Sequence, residues 1–471
     1  MKDCIICGGP TGSHEHIFPA ALGGRRTNKG IYCGPHNEGF SPLAATLSRQ
    51  LEAINALLGV RPDHSSAPRQ FEIVNPSDGQ RYLVTASLIE HAEPKILKDE
   101  IVDGKRHMRM AFSNERQIQE WIAAERAAGN DVQTAGGREP GQGFFTQPYK
   151  VELKFGGPDG LRAIGYVALT FLAHYFPQVA RAAELKPFKD FVLGATDQQP
   201  VWWDFTALPA GVPSNAFRFG HRIIIGMSAS RREAFARIFF FSTLAFSADF
   251  GSVPVESDET VIVDIDPHAD HPPDDINEIR EKRLVIELEK PSSLTDSLRQ
   301  TIESGDAQAR LSRLLKEISD WQLQATVEDL LPKLKETISV AQYQRFPAVK
   351  ALLGGQQQRV VNLMLHVVGG LRNQLEANAA TAPLSAALDG LVKGDVNSPT
   401  GLTQTAHCAL ELATSALADE ICKDLSDGKL DGDRLSMLLS GGPGAAIVGA
   451  AVLRPFMTAL GMPDWVPPSA R

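Results

Sequence analysis

Leu43, Leu47, Leu51, Ile54 and Leu58 recur at close to a four-residue step, which returns each side chain to one face of a helix. Ser41 stands where a cap is needed, Pro42 suits the first helical position, and Gly59 and Pro62 end the run. Phe71–Asn75 and Arg81–Thr85 read as two strands around the turn composition Pro76-Ser-Asp-Gly79. Residues 114–128 read as a helix, and Gly136-Gly137 with Pro140-Gly141 as a loop. Tyr149–Phe155 alternates like a strand, and Leu161–Phe176 is apolar all round, as a buried helix is. Phe217–Gly226 reads as a strand, Ser230–Phe246 as a Phe-rich helix, and Val261-Ile-Val263 as a last strand. Beyond the Pro- and Asp-rich stretch Asp264–Asp275, helical spacing dominates near 292–303, 306–339, 357–377, 400–426 and 442–461. The expected class is α+β: a small N-terminal module at 1–62, an α+β domain at 63–290, and an all-α domain at 291–471.

Composition narrows the function classes. The chain has 471 residues, 43% of them hydrophobic and 22% charged, ordinary values that exclude a disordered or fibrous chain. No run approaches the roughly 18 apolar residues of a membrane span, and the start Met1-Lys2-Asp3-Cys4 has no apolar signal core. A cytoplasmic location, away from membrane, is the expectation. The net charge of −9 means that any contact with nucleic acid is local.

Cysteine placement adds chemistry. Five cysteines in such a chain do not read as a disulfide scaffold. Cys408 and Cys422 fall in a helical region and read as buried, inert thiols. Cys4-Ile-Ile-Cys7 and Cys33-Gly-Pro-His36 are two pairs with two-residue gaps. Each gap lets both side chains of a pair reach one ion, and Cys₃His is a structural zinc set. Thiolates select zinc over magnesium. A zinc staple also answers how about 60 residues could hold a core, since such modules are marginal without one.

Between the pairs lies Ser13-His-Glu-His16-Ile-Phe-Pro-Ala-Ala-Leu-Gly-Gly24, and Asn37 follows the second pair directly. On these residues the chain resembles the HNH endonucleases of the ββα-metal superfamily, in the branch with Glu-His-Ile-x-Pro-x-x-Leu-Gly-Gly between two zinc pairs. The resemblance covers about residues 3–42 and extends at most to about 60. It implies that Cys4, Cys7, Cys33 and His36 bind structural Zn²⁺, though the branch more often has a fourth Cys at the last position. It implies that His16 is the general base, that Glu15 helps hold a catalytic divalent ion (Mg²⁺ or Mn²⁺), and that Asn37 completes or orients that metal site. A further catalytic His or Asn stands a few residues after the Asn in many members; here Glu38, Phe40 and Ser41 occupy that stretch.

The chemistry of these side chains suits those roles. A hard divalent ion neutralises a phosphodiester and its departing oxygen, and a neutral imidazole can take a proton from water near pH 7. Arg25, Arg26 and Lys29 follow the Gly-Gly turn, as phosphate-holding groups or as a solvated turn. On a regular strand Glu15 and His16 face opposite sides, and His14 shares a side with His16. A rival reading therefore pairs His14 with His16 as metal ligands. The leading expectation is a metal-dependent endonuclease acting on nucleic acid, DNA for preference, controlled by the long C-terminal region and serving antiviral defence in bacteria. The alternative is a catalytically silent zinc module that docks on nucleic acid or protein. In a third reading, residues 291–471 form a platform for self-association or for a protein partner. His268 and His271, Trp202-Trp203 and Ser440-Gly-Gly-Pro-Gly444 read as loop, packing and helix start.

Overall fold

The computed structural model describes residues 3–63, 65, 67–75, 79–86, 88–134, 144, 151, 153–269, 276–282, 288–291, 294–374, 382–392 and 402–459. The glycine pairs near 136–141, His271 and residues 270–275 lie outside these. The chain is α+β with a mostly helical C-terminal part. It divides into two compact units. One comprises Met1–Glu72, Leu83–Ile89 and Val151–Ile318; the other comprises Ile73–Tyr82, Glu90–Lys150 and Ser319–Arg471.

The first unit is built on a six-stranded antiparallel sheet. Its order is Ile276–Glu281, Glu259–Ile265, His221–Ser228, Glu233–Phe240, Leu244–Ser252, Val201–Trp203. The Phe-rich segment expected as one helix is the central hairpin of this sheet, with Phe239 paired to Ala245 and Phe235 to Asp249. Its apolar residues do not alternate because both faces are covered, and a strand buried on both faces carries no period-two signal. Its turn gives no cue either, since Phe241 and Ser242 take left-handed φ of 51° and 60° without glycine. The helix Pro158–Tyr175 packs on the sheet and is buried from Leu161 to Ala173 but for Arg162. Trp203 lies against Phe246, with ring centroids 4.2 Å apart, so the Trp pair is core.

Residues 1–62 belong to this same unit. A two-residue strand, Glu15–His16, pairs antiparallel with Thr27–Asn28, and the helix Gly34–Gln50 follows. The helix starts at the second metal pair, with Cys33 as its N-cap and Pro35 in its first turn, so Pro42 lies inside it and Ser41 caps nothing. Leu43, Leu47, Leu51, Ile54 and Leu58 are buried as the spacing predicts, across a break at Leu51. Gly59 ends the second segment in the left-handed conformation.

The second unit holds a bundle with helices Gln342–Gly354, Gln357–Gln374, Ala382–Val392, Gln404–Ser426, Gly432–Ser440 and Pro443–Ala459. Leu353, Met364, Leu410, Leu417, Leu435 and Leu453 lie in its core. Cys408 is exposed and Cys422 half-buried, so the pair is not the buried couple expected. A hairpin, Lys95–Val102 with Lys105–Ala111, turns at Asp103-Gly104, where φ is 52° and 72°. No single helix among the described residues is long and apolar enough to cross a membrane.

Candidate metal centre and histidine site

The first metal pair sits on a tight turn. Gly8 N donates to Cys4 O at 2.9 Å and Cys4 N to Gly9 O at 2.7 Å, with Gly8 at φ 69°. The second pair occupies the N-terminus of the helix, where positions three apart share a face. The ligand atoms of Cys4, Cys7, Cys33 and His36 all lie within 4.8 Å of one another. Cys33 Sγ is 3.1 Å from His36 Nδ1, Cys4 Sγ is 3.7 Å from the same nitrogen, and Cys7 Sγ is 3.9 Å from Cys33 Sγ. Ligands about 2.3 Å from a tetrahedral zinc stand roughly 3.8 Å apart, so the cluster can hold an ion such as zinc.

Its electrostatics agree. Burial raises the Cys4 pKa, but backbone N–H groups of Cys7, Cys33 and Ile6 outweigh it, and the thiol lies below its ordinary value. At Cys33 the His36 N–H lowers the pKa, yet burial and the thiols of Cys4 and Cys7 raise it overall. A divalent cation relieves that crowding. Arg181, which the sequence gave no reason to single out, clamps the surrounding backbone. Its Nη2 donates to Asp3 O at 2.7 Å and to Gly30 O at 2.8 Å.

Glu15 and His16 part company, as neighbours on a strand must. Glu15 is buried, accepts the Tyr166 hydroxyl at Oε1, and burial pushes its carboxyl up to about 8. His16 stays partly open, with 20% side-chain exposure, and its Nε2 lies 3.0 Å from Asp63 Oδ2. Asn37 ties the helix to the strand's approach. Its Nδ2 donates to Ser13 Oγ at 2.7 Å and His14 O at 3.3 Å, while its buried Oδ1 has no hydrogen-bond partner. His14 is exposed, with Nδ1 3.5 Å from Thr27 Oγ1.

Of the three basic residues, Arg25 is built into the fold. It is 8% exposed, its Nε donates to Ala269 O at 2.6 Å, and its Nη1 lies 3.5 Å from Asp63 Oδ1. Arg26 is half-buried, its carbonyl accepting from Ile17 N at 3.0 Å, and Lys29 is exposed. The structure therefore gathers Cys4, Cys7, Cys33 and His36 in one cluster and joins His16 to Asp63 and Arg25. It sets Glu15 on the other side of the strand. Asp63 lies beyond the motif that drew attention to this region, and only an Asp following the helix end marked it.

No family model, no characterised protein and no solved structure matches the chain.

Proposed function

We propose that the chain is a metal-dependent endonuclease that hydrolyses phosphodiester bonds of nucleic acid, DNA for preference. One observation carries the reading. A partly open His16 sits on a short strand pair followed by a helix, between the two halves of a Cys₃His cluster. His16 accepts a proton from the attacking water, for which a neutral imidazole is suited near pH 7. A bound Mg²⁺ or Mn²⁺ supplies charge neutralisation at the phosphate and the departing oxygen. Asn37 offers it an oxygen with no other partner, and Glu15 offers a carboxylate once it is released from Tyr166 and has given its proton to solvent. Arg26 and Lys29 hold flanking phosphates. Zn²⁺ at Cys4, Cys7, Cys33 and His36 keeps the strand pair and helix in register. The remaining chain restrains or directs cutting, with the helical bundle as the surface for a protein partner or for self-association, a design that suits defence against invading DNA.

A silent binding module is the second reading. It is favoured by Glu38, Phe40 and Ser41 where a further catalytic residue stands in many HNH enzymes, and by the inward seat of Glu15. Plasmid cleavage with Mg²⁺ or Mn²⁺ separates the two. Wild-type cutting that falls at least about 100-fold in His16→Ala, with zinc retained, supports the nuclease. Equal cutting by both proteins, or none by either, overturns it.

A further inference from the structure

We propose that Asp63 is the positioning residue of this site, fixing His16 as the Nε2–H tautomer so that Nδ1 is the nitrogen that accepts the proton. The inference rests on the reading of His16 as proton acceptor.

Asp63 is held from three directions. Its backbone N–H donates to Ala20 O at 3.3 Å, which fixes it against the loop between the two short strands. Its Oδ1 faces Arg25 Nη1 at 3.5 Å, and Arg25 is itself anchored by the 2.6 Å bond from its Nε to Ala269 O. Its Oδ2 lies 3.0 Å from His16 Nε2. An ionised carboxylate can only accept, so the proton of a neutral His16 belongs on Nε2. The lone pair is then left on Nδ1. In the reaction, an O–H bond of water breaks and its proton goes to Nδ1. The water oxygen bonds to phosphorus, the P–O3′ bond breaks, and the departing oxygen takes a proton from solvent. The imidazolium formed stands against the Asp63 carboxylate and returns its proton to solvent afterwards. Asp63 touches no reacting atom; it acts through the ring of His16, and Arg25 acts through Asp63.

The geometry makes Asp63→Asn a sharp test. The side-chain oxygen remains with Arg25, a pure donor, so the amide NH₂ meets Nε2 and forces the opposite tautomer. The backbone bond to Ala20 O is untouched by the substitution. The experiment uses full-length, zinc-loaded protein labelled with ¹⁵N-histidine at about pH 8, where an imidazole is neutral. The His16 signal is assigned by its loss in His16→Asn. Expected are Nε2–H in wild type and Nδ1–H in Asp63→Asn, with turnover lowered at least about 100-fold, KM changed less than about threefold, and zinc content unchanged. Nδ1–H in wild type, or one tautomer in both proteins, overturns the proposal. The tautomer is read without any cleavage, so a protein that cuts nothing removes the nuclease reading while the role of Asp63 is still decided. If Asp63→Asn fails to fold, the wild-type tautomer decides alone.

Discussion

Tyr166 donates its hydroxyl hydrogen to Glu15, joining the helix Pro158–Tyr175 to the short strand that carries His16. Glu15 is buried, so this donor stands in for water. Tyr166→Phe leaves the carboxyl without it. The expected cost is about 1–3 kcal/mol in urea denaturation. A Tyr166→Phe protein as stable as wild type would show that Glu15 is satisfied by other means.

The metal cluster predicts a stoichiometry. Purified protein is expected to hold one zinc per chain, and Cys33→Ser to lose it, since Cys33 Sγ neighbours both His36 Nδ1 and Cys7 Sγ. Chelation then frees the turn at Cys4 and the start of the helix at Gly34, and proteolysis cuts within the first 40 residues. Bound structural zinc contributes roughly 10–16 kcal/mol in zinc-finger peptides, so the protected and cut patterns differ widely. Zinc-free protein with an unchanged proteolytic pattern would rule the staple out.

The metal pairs could be read in advance because ligand spacing is local: Cys4-x-x-Cys7 and Cys33-x-x-His36 constrain one turn each. The amphipathic leucines and the all-apolar helix at Pro158 were legible for the same reason. The Phe239–Ala245 hairpin was not, because two buried faces erase alternation and its turn uses Phe241 and Ser242 in place of glycine. The Asp103-Gly104 turn did carry a hairpin signature, which the alternation of mixed charges around it obscured. Asp63 escaped because its partner His16 is far away in sequence, and non-local pairing leaves no mark in a single chain. The contacts of Arg25 were hidden for a like reason: Ala269 and Asp63, which hold it, are distant in sequence.

The Leu22-Gly23-Gly24 turn offers a steric test. A Cβ at Gly24 would stand 2.1 Å from Phe18 O, and Phe18 is buried against His221 with ring centroids 4.7 Å apart. Gly24→Ala must therefore shift a packed segment, at an expected cost of about 1–3 kcal/mol. Gly39, inside the helix Gly34–Gln50, has nothing within 4 Å of its added Cβ. Gly39→Ala is expected to stabilise by about 0.5–1 kcal/mol through helix propensity. Urea midpoints that move together for the two variants would refute this account of the turn.

His221 gives the protein a pH dependence of known sign. Its Nε2–H donates to Leu22 O at 3.1 Å, and its Nδ1 accepts from Phe241 N at 3.4 Å, a pairing open only to the neutral ring. Burial is the main cause that pushes its pKa down to about 3; the Leu22 carbonyl opposes this and His268 adds to it. An unfolded histidine titrates near about 6.5. Between those values the unfolded chain binds a proton that the folded chain refuses, so stability rises with pH across the window and is lost as pH falls through it. Each unit is worth about 1.4 kcal/mol, with roughly 5 kcal/mol as the ceiling. His221→Gln keeps a donor for Leu22 but loses the ring packed on Phe18 and Phe241. It should be less stable than wild type at pH 7. It has no proton to refuse, so the gap in urea midpoint should narrow as pH falls from about 6.5 toward 4. Carboxylates and metal ligands titrate in both proteins and cancel in the difference. A gap that stays constant over that range would mean that the ring is charged within the fold, and that Leu22 is held by something other than a neutral His221.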